Sequence, residues 1–184
     1  VSGGSPEVLC DAPDWRGGTW GSKGTIVFAP HAAGGLFRVS ADGGEAVEVL
    51  RPDASSKETG RRFPKFLPDG EQFVFVSMPR REGTFEIYLG SLASKDRVPL
   101  MRAGAVPVWA EPGYLVTERN RRVVAQRFDL AAGKIVGEPL DLGDAPPLEG
   151  NYGVPVASAS RNGILAYSTS RLANTQVSWF DRTG

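Results

Sequence analysis

The chain is short of the residues that most chemistry needs. Its 184 residues include one cysteine, Cys10, and one histidine, His31. A single cysteine excludes an internal disulfide. Catalytic use of that thiol needs a basic partner, and His31 falls in a separate predicted loop, so Cys10 is expected to act as a small hydrophobe. Net charge is lacking too, since 21 basic and 21 acidic residues cancel. The chain therefore has no overall field favouring nucleic acid or an anionic membrane. The local basic clusters Arg61-Arg62, Arg80-Arg81 and Arg119 with Arg121-Arg122 read as solvated turns and strand ends, because no ladder of aromatics accompanies them. No apolar run approaches the roughly 20 residues of a membrane-spanning helix, so no direct membrane insertion is expected. No long stretch carries the i, i+3, i+4, i+7 pattern of an amphipathic helix, and almost no helix is expected. Val1-Ser2-Gly3-Gly4 reads as a turn rather than the start of a signal peptide; for an exported protein, the targeting segment is expected outside this chain.

Reaction motifs are missing as well. There is no Gly-x-Ser-x-Gly elbow and no set of kinase motifs. Gly17-Gly18 and Gly34-Gly35 lack the Lys-Ser/Thr ending of a phosphate loop. The turn residues Asp42, Asp69, Asp129 and Asp181 do not form the Asp-x-Asp-x-Asp series of a calcium loop. They are expected to accept hydrogen bonds from nearby backbone amides. No metal and no cofactor is expected, and the chain reads as a non-enzyme.

What the chain does have is glycine (23), proline (14) and a four-beat internal repeat. Each beat is an apolar or aromatic stretch, a short turn ending in glycine, and a β-rich run. The beats are Thr19-Trp20-Gly21-Ser22-Lys23-Gly24 before Thr25, Lys65-Phe66-Leu67-Pro68-Asp69-Gly70 before Glu71, Val108-Trp109-Ala110-Glu111-Pro112-Gly113 before Tyr114, and Ala159-Ser160-Arg161-Asn162-Gly163 before Ile164. A period of roughly 40–50 residues with four short strands is the signature of propeller blades. The expected fold is an all-β propeller of four-stranded antiparallel blades, about four in this chain. The blades span roughly 17–50, 63–101, 105–142 and 153–180. In the first, strands are expected at 17–20, 25–29, 35–40 and 45–50, with Asp42-Gly43-Gly44 as a hairpin turn. In the third, one outer strand is expected over Ile135 to Leu142.

The two ends are complementary. Residues 1–10 match 39–48, so they read as the outer strand of a shared or preceding blade, while the chain closes after a third strand, Gln176 to Phe180. Three arrangements follow: a ring closed by its own terminal strands, an excerpt of a larger propeller, or a homodimer that shares those strands. Ring closure would remove exposed sheet edges.

Phe66-Leu67-Pro68-Asp69-Gly70 followed by Phe73-Val74-Phe75, and Leu36-Phe37-Arg38-Val39-Ser40-Ala41-Asp42-Gly43-Gly44, carry a resemblance. The blades resemble the TolB-like, WD-repeat-like β-propeller repeats of bacteria. The order of Gly18-Thr19-Trp20-Gly21, Phe63 to Gly70 and Glu118 to Phe128 also resembles the propeller that follows the membrane span in some bacterial Ser/Thr protein kinases. The resemblance implies a sensor or interaction domain on the periplasmic or extracellular side of a membrane, with a protein or peptide partner. Only the second beat keeps Pro-Asp-Gly; the glycine persists in all four, which fits a backbone requirement better than a chemical one.

The recurring Trp20, Phe66 and Trp109 are expected to be inter-blade core, since aromatics dominate core burial. The loops entering each blade are the candidates for contact. They hold Asp14-Trp15-Arg16, Glu58-Thr59-Gly60-Arg61-Arg62 and Glu149-Gly150-Asn151-Tyr152, rich in types enriched at binding hot spots. Trp15, Arg16, Arg61, Arg62, Asn151 and Tyr152 are the expected partner-binding residues. The competing readings are an accessory propeller of a hydrolase or lyase, and a structural assembly by strand sharing.

Overall fold

The computed structural model describes residues 6–52, 58–79, 85–147, 155–160 and 162–167. Among the described residues there is no helix, so none is long and apolar enough to cross a membrane. The strands form antiparallel sheets in sequence order. The first blade is β1 (Gly18–Trp20), β2 (Thr25–Phe28), β3 (Leu36–Ser40) and β4 (Val47–Leu50). The second is β5 (Glu58–Phe66), β6 (Gln72–Pro79), β7 (Phe85–Ser91) and β8 (Ser94–Ala103). The third is β9 (Val108–Ala110), β10 (Tyr114–Arg119) and β11 (Arg122–Asp129), with β12 (Lys134–Ile135) and β13 (Leu140–Asp144) both pairing with β11. The fourth is described by one hairpin, β14 (Ala157–Ala159) and β15 (Leu165–Tyr167).

The repeat glycines explain why each first strand turns back where it does. Gly24, Gly70, Gly113 and Gly163 have φ of +75°, +63°, +139° and +85°, a region that costs glycine nothing and L-residues much. In each turn the glycine amide donates to the carbonyl three residues earlier: Gly24 to Gly21, Gly70 to Leu67, Gly113 to Ala110 and Gly163 to Ser160, at 3.0–3.2 Å. The flanking side chains vary while this bond repeats. The turn aspartates support it unevenly. Asp69 Oδ1 accepts from the amides of Glu71 and Gln72, and Asp129 Oδ1 from Ala132, whereas Asp42 bonds the Ser40 hydroxyl. Asp181 lies outside the described residues.

Three apolar clusters lie between successive blades. Val27, Ala29, Leu36 and Leu50 of the first meet Phe73 and Phe75 of the second. The opposite face of the second blade, with Val74, Val76, Ile87 and Leu89, meets Val106, Leu115 and Phe128 of the third. Val116, Val123 and Ala125 then meet Val156 and Ala157 of the fourth. Alternation along β6 sends neighbouring residues to opposite faces, so one strand serves two interfaces.

Several expectations are corrected. The second blade starts at Glu58, because Glu58 to Arg62 extends β5 instead of forming an entry loop; the register shifts between Arg62 and Lys65, where Phe63 holds φ +54°. The single outer strand over Ile135 to Leu142 is two pieces. Gly137 at φ +67° and Pro139 interrupt it, and Gln126 Nε2 donates to the carbonyls of Val136 and Gly137 across the gap. Residues 6–10, expected within an outer strand, form none; Val8 there is 86% exposed. That segment is bounded by Pro6 and Pro13, which have no amide to give a ladder. Its proposed neighbour, Gln176 to Phe180, lies outside the described residues.

Candidate functional site at the mouth of the channel

Innermost strands stand side by side in the first two blades. The Phe63 amide donates to the Arg16 carbonyl at 2.9 Å and the Phe66 amide to Thr19 Oγ1 at 3.1 Å, which holds β1 and β5 parallel and in step. Their C-terminal ends, with those of β9 and β14, converge on one open cavity of about 430 Å³. Each of the four repeats contributes: Trp20 and Ser22, Phe66 and Pro68, Trp109 and Glu111, then Ser160. The repeated turn thus places equivalent residues around a common axis.

All three of the aromatics expected in the inter-blade core line this cavity; Phe66 and Trp109 also pack against the inter-blade clusters, and Trp20 does not. Trp20 is 68% exposed. Phe66 and Trp109 are half-buried, each packing one edge inward: Phe66 lies T-shaped on Phe73 at 5.9 Å, and Trp109 on Phe128 at 6.3 Å. Gly21 lets the Phe66 ring approach, since a Cβ there would lie 2.9 Å from it. The expectation fails for Trp20, because an innermost strand has no further strand on its inner side, so that ring meets open space. Trp109 Nε1 donates to Glu111 Oε1 at 3.1 Å, which orients the carboxylate at the rim.

The other end of the inner strands holds three of the expected contact residues. Trp15 is 59% exposed. Arg16 pairs with Asp14 at 2.7 Å, and Asp14 also accepts from the Ala32 amide. Arg62 Nε donates to the Ala32 carbonyl at 2.8 Å. Burial, and then the neighbouring Arg16 guanidinium, hold Arg62 below its ordinary value, with Asp14 opposing. The structure thus brings Trp15, Arg16 and Arg62 to one rim, away from the aromatic cavity.

Arg61 is elsewhere. It is 3% exposed on β5, in the interface between the first two blades. Its Nη2 lies 3.0 Å from Glu58 Oε1, while Glu58 Oε2 takes Arg97 Nη1 at 2.6 Å and the Ser77 hydroxyl at 2.6 Å. The Arg61 guanidinium sits over Phe75 at 5.6 Å and that of Arg97 over Tyr88 at 4.6 Å, with Phe75 and Tyr88 stacked at 5.7 Å. Burial, and then the hydrogen bond to Glu86, push the Tyr88 phenol up. This network ties together the four strands of the second blade; Arg61 is not a rim contact. Asn151 and Tyr152 lie outside the described residues.

Comparison with known proteins rests on shape. No protein-family model and no curated protein sequence matches the chain. Among solved structures, TolB from Acinetobacter baumannii superposes with a TM-score of 0.56 at 14% identity, over 86% of this chain and 39% of TolB. The fold is that of a TolB-like β-propeller. The β-propeller domain of the Trilobed protease from Pyrococcus furiosus, described as having an open velcro topology, gives 0.49 at 12% identity over 70% of this chain and 42% of that one. A chain of a nidogen/laminin complex gives 0.49 at 17% identity, over 77% and 51%. The chain therefore spans about two-fifths to half the length of these propellers. Among its described residues, no strand pairing joins the first blade to the fourth.

In this propeller the residues missed from sequence are Trp20, Phe66, Trp109 and Glu111. Their signal was present: an aromatic at the same place in three beats, immediately before the turn. Repetition was read as burial, but in a propeller it equally marks the axis.

Proposed function

We propose that this propeller is a non-enzymatic binding or sensing module, and that a segment of a protein or peptide partner enters the channel mouth. The observation that carries the reading is the convergence of four repeats on one open cavity lined by Trp20, Phe66 and Trp109. The walls mix these rings with the polar Thr19, Ser22, Glu111 and Ser160, and the volume falls in the roughly 300–1,000 Å³ usual for a binding pocket. Exposed tryptophan also supplies a large contact area at little entropic cost. Glu111 is the one carboxylate in the described lining, short of the acid and base that a hydrolase would place there. A location on the periplasmic or extracellular side of a bacterial membrane draws support from the likeness in fold to TolB.

A displayed peptide library panned on the chain tests the reading. Selected peptides are expected to lose at least about tenfold in affinity on Trp20→Ala or Trp109→Ala and to keep it on Trp15→Ala. Peptides that respond to Trp15→Ala and ignore Trp20→Ala would move the site to the opposite rim.

A further inference from the structure

Resting on the mouth as the binding site, the geometry points to an organic cation as its preferred occupant: a lysine or arginine side chain on an extended peptide segment. The described lining carries three aromatic rings and one formal charge, Glu111. Nearby charges are already matched. Lys23, beside Ser22, pairs with Glu71 at 3.4 Å, and Asp69 spends Oδ1 on two backbone amides and Oδ2 on Gln72 Nε2. Glu111 meets no cation among the described residues; its Oε1 accepts from Trp109 Nε1, which sets a negative oxygen at the edge of the indole ring.

That pairing selects for charge. An aromatic face attracts a cation within about 6 Å through its quadrupole. A carboxylate beside it adds a charge-assisted hydrogen bond, stronger than a neutral one. A neutral polyol is served less well, because two of the three hydroxyls in the described lining are engaged. Thr19 Oγ1 accepts from the Phe66 amide, and Ser160 Oγ accepts from the Ile164 amide while bonding Asn162. A hard metal ion is served no better. Calcium takes about 6–8 oxygen ligands, and among the described residues no three His, Cys, Asp or Glu gather. A long aliphatic stem ending in an ammonium or guanidinium matches both the aromatic rings and the charged rim.

Calorimetric titration with acetyl-Gly-Gly-Lys-Gly-Gly-amide, and with its arginine, norleucine and glutamate counterparts, tests the proposal. Lysine and arginine peptides are expected to bind about tenfold tighter than norleucine, and glutamate most weakly. Glu111→Gln is expected to remove most of that preference while leaving the thermal midpoint unchanged. Equal binding of the norleucine and lysine peptides overturns the cationic class. So does a lysine preference that survives Glu111→Gln, or the absence of binding by all four peptides. The mouth itself stands or falls separately, on the response of library-selected peptides to Trp20→Ala.

Discussion

Removing the Glu58 carboxylate should loosen the second blade, whose strands β5, β6 and β8 it links. In Glu58→Ala the Arg61 guanidinium, 3% exposed, loses its ion-pair partner at 3.0 Å, and its Nε already lacks a hydrogen bond. Arg97 suffers less, because at 20% exposure it can turn toward water. Leaving a buried charge uncompensated costs about 3–5 kcal/mol. The rings beneath the two guanidiniums are unaffected and retain about 0.5–2 kcal/mol each, which places the expected loss near the lower end, about 3 kcal/mol. At this chain length that corresponds to a fall in thermal midpoint of roughly 6–12 °C. Urea unfolding followed by tryptophan fluorescence measures the loss directly, provided the transition is two-state. The pair Glu58→Leu with Arg61→Met removes the stranded charge and should recover most of the stability, since apolar replacement of a buried pair is often close to neutral. A loss below about 1 kcal/mol for Glu58→Ala, the range of an exposed pair, would refute the claim that the network is buried and ties the strands of the second blade.

Other expectations follow from packing and charge. Phe73 is fully buried between the first two blades, so Phe73→Ala should cost about 3–5 kcal/mol in the same unfolding assay. At the Gly34–Gly60 bridge a Cβ on Gly60 would lie 2.7 Å from the Ala32 carbonyl oxygen; Gly60→Ala should cost about 1–3 kcal/mol and raise hydrogen exchange at the Arg61 amide, which donates to Gly34. Arg122 hydrogen-bonds Asp141, and that contact first, then the Gly143 amide, holds the Asp141 carboxyl below the usual carboxylate value. Asp141 therefore adds stability that is complete above the ordinary carboxylate range and is lost as pH falls through its lowered pKa. Carbon NMR titration should find that low midpoint and see it rise in Arg122→Gln.

Legibility in the sequence followed the local physics. The turns were readable because Gly24, Gly70, Gly113 and Gly163 answer a backbone demand, φ > 0, that few residues meet. Strands β2, β3 and β6 were readable from β-branched and aromatic runs between those turns. The outer strand of the third blade was less so, since the side chain of Gln126 bridges a break that Gly137 and Pro139 impose. Glu58 to Arg62 read as a polar loop because the Glu58 carboxylate is also paired by Arg97, which is distant in sequence and adjacent only after the blade forms. The mouth was misread for a related reason. A repeated aromatic fits an inter-blade core and a channel wall alike, and only the position of the innermost strand separates them.

The most direct measurement of the central claim is the indole N–H region of the NMR spectrum on saturation with a library-selected peptide. The account predicts that the Trp20 and Trp109 signals move while Trp15, at the opposite rim, stays in place. Movement of Trp15 with Trp20 and Trp109 unchanged would contradict it.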